Sequence, residues 1–130
     1  MTSPYDPLKG PDPEEWLSLT EDERLQLVEA YHRRARVRLP NMSLHAAMHA
    51  VVETQIALGD EIPVQRTALR LLDEGLDRHE TIHAIASVLV GHMYDLIQTP
   101  PHPASGADPN PAYFAALEEL TADSWREERY

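Results

Sequence analysis

Apolar residues recur three and four apart through most of this chain, and no segment alternates them with period two for long enough to make a strand. That spacing gives each of several helices one apolar stripe, with no sheet to receive them. The expected fold is all-α: a single compact domain, a bundle of about four to five helices. Residues 1–13, where prolines recur, read as an irregular lead-in. The stretch "LTEDERLQLVEAYHRRARV" opens on a capping box, Thr20 with Glu23, and Pro40 ends it. A second helix, in "NMSLHAAMHAVVETQIALGD", has Asn41 or Ser43 as its cap and closes near Gly59. Pro63 suits the first turn of a third, which stops at Gly75. Asp77 caps a fourth that runs to about Gln98. Residues 99–110 make a Pro-rich linker, and 111–130 a C-terminal helical segment.

Composition removes several functions. A net charge of −11 opposes nucleic acid as main partner, because duplex affinity comes from phosphate neutralisation by Lys and Arg. The same acidity disfavours an anionic membrane surface. There is no cysteine, so disulfides, thiol catalysis and thiolate metal sites are excluded, and any ion must be held by nitrogen and oxygen. The longest apolar run, "AIASVLV" at Ala84 to Val90, is too short to span a bilayer, and the first residues offer no signal peptide. The expectation is a soluble, cytoplasmic protein with a mainly aliphatic core.

The chemistry lies in the histidines. The second helix reads His45-x3-His49-x3-Glu53, and the fourth reads His79-Glu80-x2-His83. Positions four apart lie about 40° round a helix and one turn along it, so each pair projects from one face. Short connections make successive helices antiparallel, which sets the second and fourth parallel and lets their first two turns meet. Taking His79 as zero, Ile82, Ala86, Leu89, Val90, Met93, Tyr94 and Ile97 fall within about 80° of it, so His79 and His83 lie in the apolar stripe. On the second helix Leu44, Met48, Val51, Val52 and Ile56 make the apolar arc, with His45 and His49 at its edge and Glu53 just beyond. Inward imidazoles without partners cost about 1–3 kcal/mol each, whereas one ion satisfies a nitrogen of each at once. Helix N-termini also favour the neutral, ligating imidazole. His92 projects to the opposite side, His32 sits among arginines at a helix end, and His102 is in the linker; these three read as surface residues.

The two motifs together, Leu44, His45, His49, Glu53 and Gln55 followed by His79, Glu80 and His83, resemble an uncharacterised bacterial family, domain-of-unknown-function family 1841. The resemblance covers Asn41 to Gln98, about half the chain. It implies a compact, helical, metal-binding domain and lends no reaction.

Four readings compete. The first is one divalent ion between two helices, held by His45, His49, His79 and His83, with Glu53 as a fifth ligand or a substitute, for structure, sensing or handling of metal. Imidazole-rich, thiolate-free donors suit zinc best, then nickel or iron(II). The second is a zinc hydrolase with Glu80 as general base on a metal-bound water. The third is an oxygen-activating iron site with two histidines and a carboxylate. The fourth is a metal-free interaction module. Arg33, Arg34, Arg36 and Arg38 read as cations at a helix's negative pole. Trp16, Tyr113, Phe114 and Trp125 should pack the terminal segments onto the bundle, with a homodimer contact as the alternative.

Overall fold

The computed structural model describes residues 5–35, 42–99 and 110–128. Among these there are seven α-helices and no strand: α1 (Pro13–Ser18), α2 (Glu21–Arg34), α3 (Met42–Ala57), α4 (Val64–Asp73), α5 (Arg78–Gln98), α6 (Asn110–Glu119) and α7 (Ala122–Glu128). A single 3-10 turn, Gly59–Glu61, joins α3 to α4. The all-α expectation holds. The helix number exceeds four to five because two short helices flank the longer ones. α1 grows out of the lead-in, with Pro13 at its first position and Asp12 accepting the Glu15 N–H at 3.1 Å. α7 is the further turn around Trp125. Pro40, Asn41, Arg36, Arg38, His102 and most of the Pro-rich linker lie outside the described residues.

The local signals act as their chemistry requires. Thr20 Oγ1 accepts the Glu23 N–H at 3.1 Å while Glu23 accepts the Thr20 N–H at 2.9 Å, closing the capping box of α2. Asp77 accepts the Glu80 N–H at 2.7 Å and starts α5. Gly75, with φ of 108°, supplies the left-handed residue that ends α4 and turns the chain into α5. No helix is long and apolar enough to cross a membrane among the described residues.

Two hydrophobic clusters form. The larger gathers Val52, Val64, Leu71, Ile82, Ile85 and Leu117 from α3, α4, α5 and α6. The smaller gathers Tyr5, Trp16, Val28, Ala46 and Ala50. α3 serves both: Met48, Val52 and Ile56 face the first, and Ala46, Ala50 and Ala57 the second. At about 100° per residue His45, His49 and Glu53 fall between those two faces. The stripe expected at the edge of the apolar arc is therefore at the middle of a buried surface. The difference is made by three alanines, whose small side chains let Trp16, Tyr5 and Val28 cover them.

α5 departs from expectation in its second half. Val90, Met93, Tyr94 and Ile97, expected to continue the buried stripe, are exposed, Ile97 by 74%. The helix has 21 residues against 10 in α4, so it outruns that neighbour. The terminal aromatics turn inward. Trp16 and Tyr113 are buried, and Phe114 and Trp125 pack against the larger cluster, so Trp16 and Tyr113 belong to the chain's own core rather than to a partner surface.

This division of α5 is measurable. Ile85→Ala should lower the unfolding free energy in urea by about 2–5 kcal/mol, whereas Ile97→Ala should stay within about 0.5 kcal/mol of the parent.

Candidate metal centre

The first two turns of α3 and of α5 meet, and their imidazoles pack against one another, His83 edge-on to His45 and His49, and His49 stacked on His79. Ring centroids of His45 and His83 are 5.0 Å apart, His49 and His79 5.5 Å, His49 and His83 5.6 Å, and His79 and His83 4.3 Å. A fifth ring joins them. His32, from the last turn of α2, lies 4.8 Å from His45 and 5.6 Å from His49, and is 1% exposed. The expectation that His32 is a surface residue is thus overturned: the smaller cluster buries this face of α2 and carries His32 in with Val28. Its spacing held the signal, since His32 stands four residues after Val28 and seven after Leu25. His92 stays apart, half-buried and stacked on Tyr113 at 5.6 Å, rather than free on the surface.

The five rings offer two sets of donors that share one member. One nitrogen each of His49, His79 and His83 lie mutually within 4.8 Å, and so do one each of His32, His45 and His49. Either group could hold a metal ion. The four expected ligands therefore divide, with His45 in one set, His79 and His83 in the other, and His49 in both. His49 Nδ1, His79 Nε2, His83 Nε2 and both nitrogens of His32 are buried with no hydrogen-bond partner. Buried polar atoms are normally paired, so this many unpaired nitrogens in one place are what a ligand site would require.

Glu53 has other partners. Its carboxylate takes a two-pronged bond from Arg78, Nη1 to Oε2 and Nη2 to Oε1, both at 2.7 Å, and its side chain has no exposed surface. The Tyr5 hydroxyl donates a short bond to the same Oε2. With both oxygens engaged, Glu53 belongs to neither histidine group. It acts instead through Tyr5. The phenol oxygen lies 2.7 Å from His49 Nε2. Because the single phenol proton goes to Glu53, Nε2 must carry the other proton, and the free lone pair of His49 falls on Nδ1. Nδ1 is the buried atom without a partner. A carboxylate thus sets the tautomer of a candidate ligand through one intervening hydroxyl.

Tyr5 comes from the lead-in, which the sequence presents only as an irregular segment. Arg34 donates to the Tyr5 carbonyl at 2.9 Å and Arg78 to the Pro7 carbonyl at 2.9 Å. Gly10, at φ of 76°, lets the segment pass so close to Arg78 that a Cβ there would meet Cζ at 2.5 Å. Of the arginine group, Arg34 therefore holds this segment in place.

Electrostatics keep the rings neutral. Burial first, and then the neighbouring histidines, lower the pKa of His49 to about 2 and that of His83 to about 4. His32 and His45 are lowered first by burial and then by nearby rings; the Val28 carbonyl opposes this at His32 without a well-directed bond. His79 is also lowered by burial, against the opposing fields of Asp77, Asp6, Glu53 and Glu80. Tyr5 is driven upward by burial and by Glu53, so it remains a phenol. Neutral imidazole is the form that ligates.

No family model matches this chain, and no curated protein or solved structure is significantly similar to it. What the fold and site define is an all-α protein whose histidine groups could hold a metal ion.

The Arg78–Glu53 pair can be tested without metal. Arg78→Met should lower stability by about 3–5 kcal/mol, because it strands a buried carboxylate. Adding Glu53→Leu should restore much of that loss. A double-mutant cycle by urea unfolding would show the pair to be independent if the two losses simply added.

Proposed function

We propose that this protein binds one divalent ion, zinc in preference to nickel or iron(II), through His49, His79 and His83, with His45 alongside. One observation carries this: His49 Nδ1, His79 Nε2 and His83 Nε2, from two helices, are buried without protein partners, on three rings that each offer a nitrogen to a group spanning at most 4.8 Å. An ion satisfies all three, each of which otherwise costs about 1–3 kcal/mol. Imidazole donors without thiolate suit zinc, and three neutral ligands leave its full charge in place. Asp6, Asp77 and Glu80, whose fields act on His79, offset that charge from outside the ring cluster.

This field supports charge balance as the role of Glu80, ahead of the general-base role that its motif suggests. It favours a metal-binding protein over the hydrolase reading. The two-motif resemblance to family 1841 is kept as part of the same proposal, with Glu53 acting as the buried support of His49 rather than as a ligand. The bacterial and cytoplasmic expectations belong with it.

Elemental analysis of untagged protein, purified without added metal, should find about one ion per chain. His79→Ala with His83→Ala should reduce it to background. Substoichiometric metal that is unchanged in that variant would overturn the reading. Tyr5→Phe removes the acceptor at His49 Nε2, so zinc affinity should fall about 10–100-fold in competition with a chromogenic chelator.

A further inference from the structure

The three-histidine set leaves unexplained a buried side chain that has no hydrogen-bond partner at either polar atom, alone in this among the described residues. His32 is 1% exposed, and neither of its ring nitrogens has a partner. It faces the cluster, with its ring against His45 and His49. A metal ion can satisfy at most one of its nitrogens, and His32 is not in the His79 and His83 group. The two groups share only His49, although the His45 ring also lies 5.0 Å from that of His83. An ion on one set therefore has three protein donors and, if tetrahedral, a fourth position to fill.

We propose that His32 and His45 line a receptor for a small exogenous ligand, a water, a hydroxide or a small inorganic monoanion, held at the fourth position of the ion on His49, His79 and His83. This rests on the metal reading above. One nitrogen each of His32 and His45 stands within 4.8 Å of a nitrogen of His49, the residue common to both groups. That span accommodates an atom bound to the ion at about 2 Å and hydrogen-bonded to His32 at about 2.8 Å. The ligand class follows from charge and size. Three neutral imidazoles leave a dication that attracts an anion, in an interior where the interaction is weakly screened. Ring centroids 4.8 to 5.6 Å apart are contact distances for these rings, so any ligand is limited to an atom or a few atoms held at the ring edges, and an organic substrate is excluded.

Cobalt(II) makes this visible, because zinc has no d–d spectrum. The full chain loaded with cobalt(II) should show visible bands that shift and saturate as azide is added. In His32→Leu, cobalt(II) should still bind stoichiometrically, and azide should bind about 10-fold more weakly, the loss of one hydrogen bond to an anion. His32→Gln, which keeps a donor, should lie between the two. If cobalt(II) does not bind the parent protein, the metal reading itself fails. If cobalt(II) binds and a large excess of azide leaves the spectrum unchanged, the site is closed by protein ligands and this proposal is overturned while the metal reading stands. Equal azide affinity in parent and His32→Leu would remove His32 from the receptor. The parent titration decides the main point even if the variants fold poorly.

Discussion

A carboxylate with no exposed surface must be matched by a cation, and the contact between Glu53 and Arg78 supplies it. Much of the site's geometry depends on that contact. Glu53 lies one turn beyond His49 on α3, and Arg78 immediately precedes His79 on α5, so the pair sets the two histidine motifs against each other. The fork also leaves Glu53 Oε2 able to receive the Tyr5 hydroxyl, and leaves Arg78 Nη1 able to reach the Pro7 carbonyl. One ion pair thereby joins two helices and the lead-in, and its effect reaches His49 as a fixed tautomer.

What could be read in the sequence was local. The capping box at Thr20, the cap at Asp77, the stop at Gly75 and the two histidine pairs depend on residues three or four apart, and each is where its spacing places it. What could not be read was long-range or hidden in small residues. Tyr5 reaches partners 44 and 48 positions away, and nothing in a proline-spaced lead-in announces this. The alanine face of α3 carries little hydrophobic weight, so the arc appeared to end at the histidines when it continues past them. His32 had the right spacing, but adjacent arginines drew its assignment to the surface. The far half of α5 shows the opposite error: an apolar period extends further than the neighbours that bury it.

The motif His-Glu-x2-His takes its meaning from what faces it. On its own helix it supplies two nitrogens and a carboxylate, the start of a hydrolytic centre. Here the facing helix presents two further imidazoles, and a third comes from α2. The carboxylate that is buried among them is already paired with arginine. The result is a concentration of neutral nitrogen donors with acidic groups outside it, an arrangement suited first to holding a cation.

That layering also bears on how quickly an ion arrives. The chain carries −11 overall, while its five clustered rings are held uncharged by burial. A dication approaching from bulk water meets an attractive potential well before it meets a ligand, and the acidic groups near His79 deepen that potential beside the cluster. For the proposed ion, this field would favour capture in rate as well as in equilibrium. The rate advantage belongs to dilute electrolyte, since at about 0.15 M salt the surface field decays within roughly 8 Å. An ion held by the cluster would depend instead on buried nitrogens, which salt screens far less.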